Sequence, residues 1–600
     1  MIRVSDFIAS YIYDELGVKD IFMVSGAGVM HLTDGVAKHG KLNPICVHHE
    51  QTTSMAIDAY SRACKNFAVG YFTTGPGGTN AITGLAGAWQ DSVPCLFISG
   101  QVKKKEASYT TGIKRLRQFG VQELNIIPIV ESVCKCAVFL DDPTRVRYEI
   151  ERLVHIAKSG RPGPVWIDIP MDVQAALIDP DGLEGYTQEN ENNQISVESI
   201  EEVVALLKDA KRPVIIAGHG VRLAGASNDL AQLVADNEIP VVTPYLGIDN
   251  LKHSQKEYIG KIGIKGDRAG NYAMQNSDLV ICIGTSLHVA VIGYDYHLFA
   301  RGAKKVVIDI DEIAHKKETI SIDKLLICDA KDFICTLKDK LVENEGSSCN
   351  DWLELCNSWK QKYKVCQPEY EDTKGAINIY SFIDQLSKQS GEGDIFISDA
   401  GSAYYATSQG IKLTKDDQRY ITSGAMATMG FSLPAAIGAA VACKDKRVLA
   451  ITGDGSLQMN IQEIQTLVHY GLNVKLFVLN NDGYLSIRAS QKNYFENRFI
   501  GESDISGVSF PDILKLAEAY GIKAVRVSDI KKLEETIYQV LKTDGPIICD
   551  VITPREQPIV PTVSSVVNED GTMSSRPLED MAPFLDREEY KKNLLIDEVE

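Results

Sequence analysis

Residues 447–484 read RVLAITGDGSLQMNIQEIQTLVHYGLNVKLFVLNNDGY, and the order of patterns in that stretch decides the fold. Arg447 to Ile451 is an apolar β-type run, and Gly453-Asp454-Gly455-Ser456 is a turn. Leu457 to His469 has helical spacing, and Lys475 to Leu479 is strand again. A right-handed crossover of this kind sets the two strand ends side by side. Asp454 then offers a hard carboxylate oxygen, Asn481 an amide oxygen at the end of the next strand, and Gly483 a backbone carbonyl. That set suits an octahedral Mg²⁺ that also holds phosphate oxygens. Gly455 and Ser456 open the helix, where backbone N–H groups, the Ser hydroxyl and the helix dipole favour a diphosphate. A GDG turn alone is ordinarily just a tight turn. Strand, turn, helix, strand and Asn pair in this order read as a metal–diphosphate site.

Working outward, 600 residues exceed a single core, and about 150 residues per domain predicts three or four domains. A formal net charge of −18 argues against a nucleic-acid or anionic-membrane partner. The 13 cysteines lack zinc-site spacing, Cys134-Lys135-Cys136 being too close for paired knuckles, and their odd number does not suit a secreted disulfide framework. A reducing cytoplasm is the expected location. The N-terminus places Val4, Phe7, Ile8, Tyr11, Ile12 and Leu16 on one helical face, which is neither a signal peptide nor a membrane span.

The alternation of apolar strands with amphipathic helices predicts an α/β protein of three doubly wound parallel-sheet domains, at 1–178, 195–343 and 374–554, followed by an extended tail at 555–600. Polar stretches at Asp179 to Gln194 and Asn344 to Thr373 separate the three. In the middle domain Gly218-His219-Gly220 follows a strand like part of a dinucleotide fingerprint, but the next glycine is Gly225. Asp309-Ile310-Asp311 ends a strand where a ribose would be held.

Glu50, in His48-His49-Glu50-Gln51 before a helix, would by itself read as a helix cap or solvated charge. Its context changes that. The stretches HHEQTTSMAIDAYSRA, GYFTTGPGGTNAITGLAGAWQDSVPCLFISGQV and, from Thr422, TSGAMATMGFSLPAAIGAA resemble the acetolactate synthase branch of thiamine diphosphate enzymes. The resemblance spans roughly residues 1 to 555 and implies pyrimidine-binding, central and diphosphate-binding domains. It implies a homodimer or homotetramer whose active sites lie at the subunit interface, with Glu50 of one copy facing Asp454 of another. It also implies Glu50 as the catalytic carboxyl beside the cofactor's aminopyrimidine, with Met429 propping the cofactor and the Ala427 carbonyl holding its amino group. Gly401, Ser402, Gly455, Ser456 and Tyr484 complete the implied cofactor contacts, Gly26, Ala27 and Gln122 line the substrate, and FAD occupies the central domain. The implied reaction decarboxylates a 2-keto acid, pyruvate first among them, and passes the two-carbon unit to a carbonyl acceptor.

The chain departs from that pattern at the acceptor. Where synthases carry Arg-Phe-Asp-Asp, it reads Ile283-Gly284-Thr285-Ser286-Leu287-His288, so the arginine for the second keto acid is missing. No tryptophan follows the Asn pair, and the Gln-His pair near the diphosphate is replaced by Ser402-Ala403. Tyr484 to Phe495 and Arg576 to Leu585 look like a surface-polysaccharide subgroup, some members of which transfer acetyl units to keto-sugar nucleotides. Arg488, Gln491 and Lys492 are then candidates for a phosphorylated acceptor. Ligation to a keto acid, ligation to a keto sugar, and decarboxylation or oxidation without ligation all remain open.

Overall fold

Eighteen short apolar strands assemble into three parallel six-stranded sheets in the computed structural model, which describes every residue except 65, 189–194, 344–348, 373–374, 568–572 and 600. The second part of the first polar linker and the Gly346-Ser347-Ser348 stretch of the other lie outside the described residues.

The N-terminal sheet contains β1 (Asp20–Met23), β2 (Asn43–Cys46), β3 (Ala68–Phe72), β4 (Cys95–Gln101), β5 (Cys136–Phe139) and β6 (Val165–Pro170), ordered β2-β1-β3-β4-β6-β5. The central sheet runs through β7 (Pro213–Ala217), β8 (Val241–Thr243), β9 (Tyr258–Lys261), β10 (Leu279–Ile283), β11 (Lys304–Asp309) and β12 (Lys324–Ile327), ordered β9-β8-β7-β10-β11-β12. The C-terminal sheet holds β13 (Ile395–Ser398), β14 (Arg419–Thr422), β15 (Val448–Gly453), β16 (Val474–Asn480), β17 (Lys523–Val527) and β18 (Ile547–Ile552), ordered β14-β13-β15-β16-β18-β17. Central strands such as Val165–Pro170 are buried throughout, as a sheet covered on both faces requires. The first and third sheets therefore share one topology, and the middle sheet has the order of a dinucleotide-binding fold.

Five helices position the site: α1 (Glu50–Cys64), α2 (Pro76–Asn80), α3 (Gly401–Gly410), α4 (Ser432–Ala442) and α5 (Leu485–Tyr494). α1 and α4 each follow the second strand of their sheet, and they pack on one another within a single core containing Met55, Ala56, Ala59, Ala435, Ala436 and Ala439. Small residues permit this approach: a Cβ on Gly438 would lie 2.0 Å from the Ala56 carbonyl oxygen.

The linker helix Asn350–Lys362 buries Trp352 and Trp359 in the core of the central domain. The tail is tied down as well, because Arg268 donates to the Met581 carbonyl at 3.0 Å, Asn271 to that of Leu578 at 2.9 Å, and Gln275 to Glu579 at 2.6 Å. Among its described residues the one short helix is Arg587–Lys592. Among the described residues no helix is long and apolar enough to cross a membrane.

Candidate cofactor site

β15 and β16 are neighbours, so the crossover read from the sequence brings Asp454 beside the Asn481–Gly483 turn. Asp454 is 2% exposed, and its Oδ2 accepts the Gly483 N–H at 3.1 Å. Burial pushes its pKa up to about 6, against the opposing pull of the backbone N–H groups of Gly483, Gly455, Asp482 and Asn481. Asn481 is 3% exposed, and its Oδ1 has no hydrogen-bond partner. Leaving such a group unpaired costs about 1–3 kcal/mol, so a buried amide oxygen beside a buried carboxylate fits a cation. Gly483 has φ 150°, and a Cβ there would meet Arg488 at 2.2 Å and the Glu502 carbonyl at 2.3 Å. Among the described residues no group of three His, Cys, Asp or Glu converges, so phosphate oxygens and water would have to complete the coordination.

Arg488 does not present itself to a substrate. It is 4% exposed, pairs with Glu502 at 2.5 Å, and donates to the carbonyls of Asp482 at 3.0 Å and Asn481 at 3.5 Å. It buttresses the turn instead, a role that depends on Glu502 and is invisible to local pattern. Gln491 is likewise occupied, donating to the Ile500 carbonyl at 2.9 Å and accepting its N–H at 3.0 Å, while Lys492 pairs with Glu556.

The hydroxyl of Ser456, expected at a phosphate, is committed within the protein. It donates to Asp399 at 2.6 Å and accepts the Gly430 N–H at 2.8 Å. Asp399 is fully buried, also accepts from Thr452 at 2.8 Å, and is pushed up to about 6 by its burial. The sequence reading passed over it. An acid directly after an apolar strand and before Ala400-Gly401 was the available signal. α3 starts there, with Gly401 at φ 56° and Ser402 buried, so two helix starts sit on the adjacent strands β13 and β15. Helix starts favour an anion through their backbone N–H groups and dipole, and at the second of these the Gly455 N–H already donates to Asp454 at 2.9 Å. Tyr484 roofs this end: a Cβ on Gly455 would lie 2.2 Å from its ring, and Phe510 meets that ring edge-on at 5.4 Å.

The helix expected from Leu457 to His469 is interrupted. A tight helical segment covers Gln458–Glu463, with Asn460 at φ −136°, before Ile464–Tyr470 resumes. Asn460 leaves the helix because its amide donates to the Gly430 carbonyl at 2.9 Å and to Gln51 at 3.0 Å. It thereby joins the diphosphate segment, the 423–430 loop and the start of α1. In that loop Ala427 holds a left-handed φ of 47°, and Met429 is half-buried. Asp91 fixes the loop's base by accepting the N–H groups of Gly424 at 2.8 Å and Ala425 at 2.9 Å.

Glu50 opens α1 and is 9% exposed; its Oε2 accepts from Asn80 at 3.0 Å, and its Oε1 lies 3.5 Å from where a Gly77 Cβ would sit. Gly26 rests on Thr73, and Ala27 follows it at the same sheet edge. The Gln122 carbonyl lies 2.2 Å from where a Gly75 Cβ would be, and its side chain is exposed. Gly26 and Gln122 thus pack on the 73–77 turn, against which Glu50 also rests.

The residues singled out for FAD have partners within the protein. A Cβ on Gly218 would lie 2.1 Å from the Gly284 carbonyl oxygen, so that glycine serves backbone packing. Asp309 meets His315 at 3.1 Å, and Asp311 meets Arg161 at 3.1 Å.

A parallel sheet whose strand ends carry a buried carboxylate, an unpaired amide oxygen and two helix starts defines a diphosphate-cofactor enzyme, and the comparisons agree. Residues 2–128 match the thiamine pyrophosphate enzyme N-terminal TPP binding domain, 200–337 the central domain, and 399–551 the C-terminal TPP binding domain. The chain belongs to the thiamine pyrophosphate enzyme family, in its acetolactate-synthase-like branch, and is a thiamine diphosphate-dependent enzyme. It is 32% identical over 567 residues to "Acetolactate synthase 1, chloroplastic" of Nicotiana tabacum, covering 92% of this chain and 81% of the relative. It is 30% identical over 563 residues to "Acetolactate synthase large subunit" of Lactococcus lactis, covering 93% of each.

Proposed function

We propose that the chain is a Mg²⁺- and thiamine diphosphate-dependent carboligase that decarboxylates a 2-keto acid, with pyruvate as donor, and passes the two-carbon unit to a carbonyl acceptor. The observation that supports it most is the unpaired buried Oδ1 of Asn481 beside Asp454. When bound, the cofactor supplies an electron sink for loss of CO₂. Asp454, Asn481 and the Gly483 carbonyl would hold Mg²⁺ and through it the diphosphate, with the helix starts at Gly401 and Asp454 donating N–H groups. Ala427 and Met429 orient the cofactor's rings, and Glu50, held by Asn80, moves a proton at a ring nitrogen. The names of the relatives support pyruvate as donor.

The assembly belongs to the same proposal: a homodimer or homotetramer in a reducing cytoplasm, with Glu50 of one copy meeting the diphosphate site of another. Large apolar side chains lie uncovered near both halves, with Phe119 at 60% and Val121 at 80% exposed on one side and Phe495 at 51% and Ile500 at 75% on the other. Product analysis after incubation with pyruvate and a panel of keto acids and aldehydes tests the reaction. CO₂ release without any ligated product would reduce the reading to a decarboxylase.

A further inference from the structure

The loop from Ser423 to Gly430, which carries Ala427 and Met429, is fixed at its start by two buried charges of the N-terminal domain. Asp91 is 3% exposed, and Arg62, in the last turn of α1, is 7% exposed. The two pair at 3.0 Å, and Arg62 also meets Asp58 at 2.7 Å. Arg62 donates to the carbonyl of Thr422, the last residue of β14, at 2.8 Å. Asp91 accepts the Gly424 N–H on Oδ2 and the Ala425 N–H on Oδ1. One ion pair thus grips a carbonyl and two amides where the loop leaves its strand.

Burying two charges costs free energy that pairing and hydrogen bonds must offset. The loop held by this pair adds little to any core, since Gly424, Ala427, Thr428 and Met429 are half-buried and Ala425 and Met426 are exposed. What the pair secures is backbone geometry. Ala427 holds φ 47°, a conformation that persists in a non-glycine residue only where the surroundings over-determine it. Inside the loop the Ser423 carbonyl accepts the Ala427 N–H at 2.8 Å, and the Ser423 hydroxyl accepts the Thr428 N–H at 3.0 Å. Ser423 itself lies between the Thr422 carbonyl held by Arg62 and the Gly424 amide held by Asp91. At the far end Gly430 is held by Ser456 and Asn460.

We infer that Asp91 is a positioning residue for the cofactor: by holding Gly424 and Ala425 it sets where the Ala427 carbonyl and the Met429 side chain stand against the cofactor's rings. The inference rests on the proposed reading of Ala427 and Met429 as the residues that orient those rings. On the same reading affinity comes chiefly from the metal and diphosphate contacts at Asp454 and Asn481. Orientation and affinity therefore separate at Asp91.

The test uses the full-length chain loaded with Mg²⁺ and thiamine diphosphate, and reads deuterium exchange at the thiazolium carbon by NMR beside calorimetric cofactor affinity. Asp91→Asn keeps the size of the side chain but turns an amide NH₂ toward one of its donors. Misplacement by about 1 Å costs on the order of 10²-fold in such a step, so exchange slows roughly 10–100-fold while affinity stays within about threefold of wild type. Asp394→Asn is the control. Asp394 is also 3% exposed, accepts the Gly391 N–H at 2.7 Å and pairs with Arg447 at 2.7 Å, but it precedes β13, at the end of the sheet away from the loop. Its variant exchanges at the wild-type rate. Asp91→Glu keeps the anion that Arg62 requires, and it replaces Asp91→Asn, with the same slowing expected, if the latter does not load the cofactor. Normal exchange in an Asp91 variant that loads, affinity lost in step with exchange, or equal slowing in Asp394→Asn would overturn the inference. So would failure of both Asp91 variants to load, which would make Asp91 a residue of the fold alone. A wild-type chain that exchanges no faster than free cofactor would instead sink the carboligase reading, before any variant is compared.

Discussion

The N-terminal chain leaves β1 through Val24-Ser25-Gly26 and β3 through Thr73-Thr74-Gly75, with no carboxylate at either exit, whereas the equivalent exits of the C-terminal sheet carry Asp399 and Asp454. At the second strand the pattern reverses. β2 runs on to His48-His49-Glu50, while β14 runs on through Ser423 to Phe431 without an acid. One topology thus provides two sets of strand ends, and on the proposed function the placement of carboxylates makes one a cation anchor and gives the other a single proton-handling group. Topology says where a site lies, and side chains say what it does.

Exchanging these assignments should be most damaging at Glu50. Glu50→Gln retains the neutral shape but loses the proton role, so deuterium exchange at the cofactor's thiazolium carbon, followed by NMR, should slow by on the order of 10²–10⁴-fold with cofactor affinity little changed. Normal exchange would remove Glu50 from the proton chemistry. Next comes Asp454→Ala. Even a supporting residue behind a metal ligand costs about 10–100-fold in affinity, so loss of the ligand itself should weaken calorimetric binding of the Mg²⁺–cofactor complex by about 100-fold or more. Unaltered binding would break the contrast between the two sheets.

A second contrast lies in the last strands. Asp168 in β6 and Asp550 in β18 are each the fourth residue of their strand. Asp550 pairs with Arg526 at 2.6 Å, while Asp168 has only neutral side-chain donors, Ser99 at 2.6 Å and Gln101 at 3.1 Å. Burial without a cation pushes Asp168 from 3.8 up to about 7. Because the folded value is the higher one, the neutral acid stabilises the fold. That contribution is complete below about pH 4 and is lost as pH rises through about 7. Asp168→Asn should remove this dependence, so wild-type melting falls relative to the variant between pH 5 and 8, by a few degrees for a change on the order of 2 kcal/mol. A constant difference across that range would show that Asp168 stays ionised.

The meeting of Asp454 with the Asn481–Gly483 turn is legible because a crossover fixes which strand ends meet, and that depends only on the order of local patterns. The three sheets and the placement of Glu50 before a helix were legible for the same reason. What escaped depends on contacts between distant residues. Asp399 reaches Ser456 from another strand, Asn460 breaks its helix to reach Gln51 and Gly430, and Arg488 turns inward because Glu502 waits for it. Helical spacing identifies a face, but it does not reveal what lies against that face.

Gln491 offers the smallest and sharpest check on that lesson. The sequence nominated it for the acceptor, yet both ends of its amide are bound to the backbone of Ile500, near the surface. Two exposed hydrogen bonds are worth about 1 kcal/mol together in such a setting, so Gln491→Ala should lower the melting temperature by only a degree or two. The KM for any acceptor should stay within about twofold of wild type, since exchanging a committed side chain removes no contact to substrate. A tenfold rise in acceptor KM at unchanged stability would mean that the amide swings away from Ile500 in the working enzyme. The segment from Leu485 to Tyr494 would then take part in reading the acceptor.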